Sequence, residues 1–439
     1  MRSFILASLA ALAMAEDHWA VLVAGSNMYY NYRHQADVHH AYQILKNNGV
    51  PESNIILMSY DDIARSGSNP YPGQIFNKPD GENVYFQDDI SYSGRDVTAE
   101  KFLAVLKGDE ATAGGPVLKS TAESKVFVYF ADHGAPGFVA FPSGGYLYAT
   151  ALQEAIDYME TNQMYDEMVI YIEACESGSM FPNLRADQKV YAMTAANASE
   201  SSWGTYCGSE AMVGGKNVGS CLGDLFSVNW MEDTEANNPQ TETLDTQHTN
   251  VKNTTTKSHV QVFGDLSFLS EPIADFEGGL DSVEEVSTDS KHWKKLRHFG
   301  KKFMKKVDRA TAFVKEVLDG DLKERSSLDS RDIKMHYLYD KYNRTGSKMD
   351  LEELQAELEH RHKVDALFSK LTPGLQMEQE VVVDDFDCYS FLINSYEATC
   401  ERFSDYSLKY AKAMAHICST GEDKLVARAI QLMQEHCLN

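Results

Sequence analysis

Apolar strands that alternate with amphipathic helices between residues 18 and 180 constrain the fold of this chain more than any other feature. Residues 124–131 (SKVFVYFA) and 168–172 (MVIYI) are almost continuously apolar, which is typical of strands covered on both faces. Residues 148–162, between them, have the spacing of an amphipathic helix. This order predicts an α/β domain with a mostly parallel sheet flanked by helices, whose ligand site lies beyond the carboxyl ends of the strands.

Chemically reactive residues follow two of the predicted strands. Asp132, His133 and Gly134 come directly after the first run, and Cys175 comes just after the second. A buried structural role is the first interpretation of Cys175 alone, because free cysteines are among the most buried residues. Neighbouring parallel strands, however, would bring His133 and Cys175 to one edge of the sheet. A thiol beside an imidazole can act as a nucleophile with its general acid and base, and N–H groups at Gly134 and Cys175 can hold an oxyanion.

The chain has seven cysteines, so at least one stays unpaired if the others form disulfides. Cys207 and Cys221 flank a glycine-rich stretch that a disulfide could staple. Four more crowd into the last part of the chain, where a small helical module would gain most from cross-links, and the sequence alone leaves their pairing open: Cys388, Cys400, Cys418 and Cys437. Cys175 is the one left over.

The first fifteen residues (MRSFILASLAALAMA) have one arginine, a short apolar stretch and small residues at their end, which predicts a secretory signal peptide cleaved after Ala15. No later apolar run is long enough to span a bilayer, so we expect a soluble protein of the secretory pathway. Three N-glycosylation sequons, at Asn197, Asn253 and Asn343, are compatible with that route.

Charge is distributed unevenly along the chain. Residues 16–290 hold 14 Lys and Arg against 40 Asp and Glu, whereas residues 291–439 hold 25 of each. Within the second part, residues 291–309 (KHWKKLRHFGKKFMKKVDR) carry nine basic residues and one acidic residue. A nucleic-acid patch is one interpretation, but the acidic domain of the same chain is a nearer partner. We therefore expect no nucleic-acid partner and an electrostatic contact between the two parts.

Several motifs together resemble the legumain family, the asparaginyl endopeptidases also called vacuolar processing enzymes. They are GSNMYYNYRHQAD, FADHGAPG, YIEACESGSM, AANASESSWGTYC and CLGDLFSVNWMED. The resemblance implies a caspase-like fold followed by a helical C-terminal prodomain that covers the active site. It also implies that Cys175 is the nucleophile, His133 the general acid and base, and Asn31 the residue that orients His133. Gly134 with Cys175 would form the oxyanion hole, and Asp132 is the position that can cyclise to a succinimide.

The same resemblance implies a pocket that selects asparagine at P1, the residue before the cleaved bond. An asparagine amide presents two donors and an acceptor, so its pocket needs both complementary kinds of group. Arg33 would hold the amide oxygen, Glu173 and Asp224 would accept from its nitrogen, and His34 would complete the pocket. Residues before P1 would lie against Ser201, Ser202 and Trp203. We expect cleavage after Asn, and after Asp at acidic pH.

The resemblance further implies the disulfides Cys388–Cys418, Cys400–Cys437 and Cys207–Cys221. We divide the chain into a signal peptide (1–15), a caspase-like catalytic domain (16–290), a charged activation linker (291–348) and a helical prodomain (349–439). Acid should release the prodomain from a latent zymogen, which then cuts itself at Asn343. If Asn343 carries a glycan, the cut would move to another Asn or Asp in the linker, such as Asp329, Asp332 or Asp340.

We expect no cofactor and no metal ion, because His39 and His40 would lie on different faces of one helix and cannot close a zinc site with His34. Three alternatives remain at this stage: an enzyme like glycosylphosphatidylinositol transamidase, a peptide ligase that replaces water with an amine, and a catalytically silent binding scaffold. The expected location is an acidic compartment of the lysosome or vacuole type, or the exterior of the cell.

Overall fold

The computed structural model describes residues 17–143, 145–279, 327–376 and 379–438. The predicted signal peptide and the basic segment 291–309 lie outside these ranges. Among the described residues, no helix combines the length and the apolar character that crossing a membrane requires.

Fourteen strands are present in the described ranges, and six of them form the central sheet in the order β13-β8-β7-β3-β1-β2. All neighbours in that sheet pair in parallel except β13, which is antiparallel to β8. The strands are β1 (Asp17–Ala24), β2 (Ile55–Met58), β3 (Ser124–Ala131), β4 (Gly134–Ala135), β5 (Phe138–Ala140), β6 (Tyr146–Tyr148), β7 (Glu167–Glu173), β8 (Val190–Thr194), β9 (Trp203–Thr205), β10 (Met212–Val213), β11 (Lys216–Asn217), β12 (Gly223–Asp224), β13 (Gln261–Gly264) and β14 (Ser327–Asp329).

Helices connect and cover these strands. Those up to residue 279 are α1 (Tyr32–Asn47), α2 (Ala99–Leu106), α3 (Glu110–Ala113), α4 (Ala149–Thr161), α5 (Leu225–Ala236), α6 (Leu244–Thr254) and α7 (Ala274–Glu277). Those after residue 327 are α8 (Ile333–Thr345), α9 (Lys348–Leu371), α10 (Phe386–Thr399), α11 (Ala411–Ser419) and α12 (Asp423–Cys437).

Alternate residues of the central strands belong to two separate cores. Val126 and Val128 of β3 pack into the core that contains α2 and α4, whereas Phe127 and Tyr129 pack into the core that contains α1 and α5. Each strand is thus buried on both faces, which explains why its sequence is continuously apolar instead of alternating. The predicted mostly parallel sheet with helices on both sides is confirmed.

The polar stretch at residues 235–258 contains helix α6. The side chain of Thr243 accepts a hydrogen bond from the N–H of Thr246 and so caps the helix. Leu244 and Val251 pack one face of α6 against the core. Few apolar residues suffice for this helix, because only one of its faces is buried.

Residues 327–438 are called the C-terminal part below. Helices α9 to α12 share a third core, and two disulfides, Cys388–Cys418 and Cys400–Cys437, tie α10 and the residue that follows it to α11 and α12. The predicted all-α, disulfide-linked region after the sheet is confirmed. Ala135 and Phe138 of the catalytic domain belong to the same core, so the C-terminal part is packed onto the sheet edge that carries the predicted site.

Candidate active site

The carboxyl ends of β3 and β7 meet in the way that the sequence predicts. Ala131 pairs with Glu173 in the sheet, and the N–H of Asp132 donates to the carbonyl of Glu173 at 3.0 Å. A Cβ atom at Gly134 would lie 2.2 Å from the carbonyl oxygen of Cys175, so only glycine fits there. The segments that carry His133 and Cys175 therefore touch each other.

Cys175 is the free cysteine of the chain, because Cys207–Cys221 and the two disulfides of the C-terminal part account for the other six. These are the pairs that the family resemblance implies. The Cys175 side chain is completely buried and accepts a hydrogen bond from the N–H of Ser202, with 3.3 Å between nitrogen and sulfur. Burial raises the pKa of this thiol to about 12. In the structure described, the thiol is thus protonated and shielded from solvent.

His133 is also buried, and two residues contact one of its ring nitrogens. Its Nε2 atom lies 3.0 Å from Oδ1 of Asn31 and 3.3 Å from Oδ2 of Asp405, a residue of the C-terminal part. The amide of Asn31 in turn donates to Asp405 at 3.4 Å. Nδ1 of His133 is buried without a hydrogen-bond partner. Asn31 therefore lies where it can orient the imidazole, and one ring nitrogen stays available.

Arg33 lies on helix α1 and is fully buried. Its Nε donates to Oδ1 of Asp224 at 2.7 Å, and its Nη1 donates to Oδ1 of Asn31 at 3.2 Å. Within the described part of the chain, Nη2 of Arg33 is buried with no hydrogen-bond acceptor. Buried guanidinium N–H groups rarely stay unpaired, so this atom can donate to a ligand.

Two carboxylates near Arg33 also have an unsatisfied oxygen. Oε2 of Glu173 accepts from both the N–H and the hydroxyl of Ser227 at 2.9 Å, whereas its Oε1 has no hydrogen-bond donor. Oδ2 of Asp224 likewise has no hydrogen-bond donor, and Nε2 of His34 is 3.5 Å away. Burial and the charge of Asp224 raise the pKa of Glu173 well above its ordinary value. We call Arg33, Glu173 and Asp224 the P1 pocket.

His34 and Asp132 lie beside this pocket. Nδ1 of His34 is 2.6 Å from the hydroxyl of Ser26 and 3.3 Å from Oδ1 of Asp132. Burial lowers the pKa of His34 well below its ordinary value and raises that of Asp132 to about 7. His34, Asp132 and His133 each offer a potential metal-ligand atom within 4.8 Å of the others. This group lies inside the candidate active site itself.

The two other histidines of α1 take no part in the site. The ring of His39 lies 5.2 Å from that of Tyr85, and Nδ1 of His40 is 2.8 Å from the side-chain oxygen of Asn77. Both contacts are structural, and they lead away from His34.

Strand β9 and the residues before it contain the three residues of the predicted wall. Ser202 is buried against Cys175, whereas Ser201 and Trp203 are half-buried, and the amino group of Lys257 lies 5.7 Å from the Trp203 ring. The exposed edge of β9 is occupied by β14, which pairs with it in antiparallel register. A strand of the C-terminal part thus fills the place that the sequence analysis gives to the substrate.

Two functional contacts escaped the sequence analysis. Nη2 of Arg331 donates to Oε2 of Glu176 at 2.5 Å and to the carbonyl of Gly134 at 2.9 Å. Asp405 reaches His133, as described above. These contacts join residues far apart in the sequence, and no local pattern signals them; only the position of Glu176, directly after Cys175, gave a hint.

The predicted cleavage and glycosylation residues are spread over the surface and the site. Asn343 is exposed in the last turn of α8, and Asp340 is half-buried in the same helix. Asp329 ends β14, and Asp332, which precedes α8, pairs with Arg361 at 2.6 Å. Asn253 is exposed on α6, whereas Asn197 is half-buried near the active site.

Known proteins share this chain's organisation. Residues 18–279 match the family model of the peptidase C13 family, and residues 352–437 match that of the legumain prodomain. The vacuolar-processing enzyme delta-isozyme of Arabidopsis thaliana is 37% identical over 95% of this chain and 90% of its own length. The legumain of Canavalia ensiformis is 34% identical over 92% of this chain and 86% of its own length. Caspase-1 from Spodoptera frugiperda aligns with a TM-score of 0.37 and 9% identity over 60% of this chain and 93% of that structure.

Proposed function

The chain belongs to the peptidase C13 family of cysteine endopeptidases, the legumain family, and on that premise we propose that it cleaves peptide bonds after Asn, and after Asp at acidic pH. It carries the legumain prodomain, and we propose that this prodomain keeps the enzyme latent until acid triggers self-cleavage. Its partners would be peptide and protein substrates and its own C-terminal part.

One observation carries the specificity for Asn. The P1 pocket contains one buried unpaired N–H donor, Nη2 of Arg33, and two buried oxygens without donors, Oε1 of Glu173 and Oδ2 of Asp224. An asparagine side chain supplies the acceptor and the two donors that would satisfy all three atoms. A side chain without that pattern would leave buried polar groups unpaired, which is how such pockets discriminate strongly.

The catalytic roles follow from the contacts of the two reactive side chains. Cys175 would attack the P1 carbonyl carbon as thiolate, after His133 accepts its proton, and His133 would then protonate the leaving amine. Asn31 would hold the imidazole in place. The N–H groups of Gly134 and Cys175 would stabilise the oxyanion, and Asp132 is the proposed succinimide position.

Latency would result from the C-terminal part. Strand β14 occupies the edge of β9, the side chain of Ser330 lies 3.2 Å from that of Ser202, and Asp405 engages His133. The chain then turns away from the P1 pocket, because the N–H of Asp332 donates to the carbonyl of Asp329. Substrate would therefore meet a covered strand and an occupied histidine.

Acid would weaken this cover through Asp405. Burial alone would raise the pKa of Asp405, but the charges of His133 and Arg33 hold it well below its ordinary value while the C-terminal part is docked. Release separates Asp405 from both residues, so its pKa returns toward the higher, ordinary value. Docking is therefore favoured at neutral pH and is weakened as pH falls below the ordinary pKa of an aspartate. The basic segment 291–309, which was predicted to make the electrostatic contact, lies outside the described residues.

We also propose the predicted domain division and self-cleavage at Asn343. Asn343 is exposed, but it lies in a helix, so cleavage there requires the end of α8 to unwind. We also propose an acidic compartment of the vacuole or lysosome type, reached through the secretory pathway; the names of the related vacuolar-processing enzymes support a vacuole, and the predicted signal peptide supports the secretory route. The match to the legumain prodomain favours this function over that of a transamidase or a silent scaffold.

Peptides that differ only at P1 test the proposal. The full chain, after exposure to acid, is incubated with peptides carrying Asn, Asp, Ala or Arg at P1, and mass spectrometry detects both hydrolysis and ligation products. We expect cleavage after Asn and, at acidic pH, after Asp. Cys175→Ala removes the thiol with little change in volume and should lose at least about 10⁴-fold of the rate. Preference for Ala or Arg would contradict the assignment of the P1 pocket.

A further inference from the structure

We propose that Glu176 forms the S1′ subsite and selects substrates with a basic residue at P1′, directly after the cleaved bond. This inference rests on the proposed endopeptidase function and adds the class of leaving group that the same site prefers.

The position of the subsite follows from the path of β14. The strand runs along β9 toward the thiol, and the N–H of Ser330 donates to the carbonyl of Ser202 at 3.1 Å. Ser202 in turn donates its own N–H to the sulfur of Cys175. Ser330 is thus level with the thiol, and Arg331 is the first residue beyond it. A substrate that follows the same strand edge in the same direction would place its P1 residue at the level of Ser330 and its P1′ residue at that of Arg331.

The side chain of Arg331 shows what this place accepts. Its guanidinium donates to the carboxylate of Glu176 and to the carbonyl of Gly134, both of which belong to the catalytic domain. The side chains of Arg331 and Glu176 are only 4% and 5% exposed. The catalytic domain therefore holds a buried guanidinium site next to the nucleophile, built from one carboxylate and one carbonyl.

The backbone of the C-terminal part does not continue through the site as an extended substrate would. The N–H of Arg331 donates to the side chain of Asp329 at 2.9 Å, and the chain turns back at this point. Arg331 therefore shows where a P1′ side chain would lie, but it does not show how the main chain of a substrate would run after the cleaved bond.

Release of the C-terminal part would empty this site. Arg331 and Lys412 are the cations that act most strongly on Glu176, and both lie in the C-terminal part. Without them, a carboxylate remains beside Cys175 and no longer faces these two cations. A cationic P1′ side chain would be attracted to it and an acidic one repelled.

An alternative is that Glu176 serves only to anchor the C-terminal part. In that case the activated enzyme would be indifferent to the charge at P1′. The two interpretations therefore differ in a property of the activated enzyme that does not involve latency.

The test uses peptides with Asn at P1 and identical flanks, in which P1′ is Arg, citrulline, Ala or Glu. Citrulline has nearly the shape of arginine but no charge. For the acid-activated enzyme we expect kcat/KM to be about tenfold higher with Arg than with citrulline, and lowest with Glu. Citrulline lacks the charge of the hydrogen bond to Glu176, and a P1′ Glu is repelled by that carboxylate. In Glu176→Gln the ratio of Arg to citrulline should fall to near one. Glu210→Gln, which removes an exposed carboxylate of the same domain, should keep the wild-type ratio.

Equal rates with Arg and citrulline in the wild-type enzyme would overturn the proposal, and this comparison holds even if Glu176→Gln fails to fold. A wild-type ratio that persists in Glu176→Gln would overturn the assignment to this residue. Cleavage after Asn with no P1′ preference leaves the proposed function intact, whereas absence of cleavage after Asn in every peptide contradicts the function itself.

Discussion

The P1 pocket and the C-terminal part both lie near the candidate catalytic residues, but they are held in place by different means. The hydrogen bonds that hold the pocket lie within the catalytic domain: Arg33 donates to Asp224, and Ser227 donates to Glu173. The C-terminal part reaches the catalytic residues through Arg331 and Asp405, whose partners Glu176 and His133 belong to the other domain. The pocket should therefore persist when the C-terminal part leaves. Changes in the pocket should alter specificity without altering latency, and changes in the cover should do the reverse.

The largest expected effect concerns the reactivity of the thiol before and after release. Burial in the covered enzyme raises the pKa of Cys175 to about 12, so near neutral pH very little of it is thiolate. Removal of the C-terminal part exposes the sulfur and should return its pKa toward the ordinary value. Alkylation by iodoacetamide, followed by intact mass at one near-neutral pH, should be about 10³-fold slower in the full chain than after release. Equal labelling rates would show that the C-terminal part does not shield Cys175.

The second effect tests the pocket alone. Glu173→Gln keeps the shape of the side chain but replaces an acceptor by an N–H₂ group facing the P1 amide nitrogen. We expect kcat/KM for a P1 Asn peptide to fall about 10²-fold in the activated enzyme, because donors would face donors. The full chain should stay as latent at neutral pH as the wild type. Loss of latency in Glu173→Gln would show that the P1 pocket also helps to hold the C-terminal part in place.

The third effect is a pH dependence of the pocket. The pKa of Glu173 is raised by burial, and its Oε2 already accepts two hydrogen bonds, so a proton taken up as pH falls would lie on Oε1. Oε1 would then donate, which suits an aspartate oxygen better than an amide nitrogen. A P1 Asp side chain also loses its own charge as pH falls. The ratio of kcat/KM for Asp to that for Asn should rise at least about tenfold from neutral to acidic pH. A ratio of Asp to Asn that decreases as the pH is lowered would contradict the assignment of Glu173 and Asp224 as acceptors.

The same contrast marks what could be predicted from the sequence. The apolar runs of β3 and β7 are local signals, and adjacency of parallel strands then brought His133, Gly134 and Cys175 together. The resemblance to a family supplied Arg33, Glu173 and Asp224; in the structure Arg33 pairs with Asp224, and each of the three keeps one buried polar atom without a partner among the described residues. No local sequence pattern indicates that β14 pairs with β9 or that Arg331 pairs with Glu176. Both pairings depend on how two distant regions of the chain pack against each other. Local patterns specify elements, whereas docking contacts require the whole structure.

The smallest effect tests the cover alone. Arg331→Gln removes the cation that pairs with Glu176, so docking loses a buried ion pair. We expect activity of the full chain at neutral pH to rise several-fold, and the pH at which acid activates it to shift upward by about one unit, because a weaker cover needs less acid to release it. Once activated, the variant should match the wild type in kcat/KM for Asn peptides, because Arg331 belongs to the released part. Lys348→Gln, which removes an exposed cation paired with Glu352 on the surface of α9, provides a control of equal charge change and should leave activation unaltered. If Arg331→Gln instead retained full latency and the wild-type activation pH, the Glu176 ion pair would not hold the cover in place, and the difference between a pocket held from within and a cover held by charge would lose its physical basis.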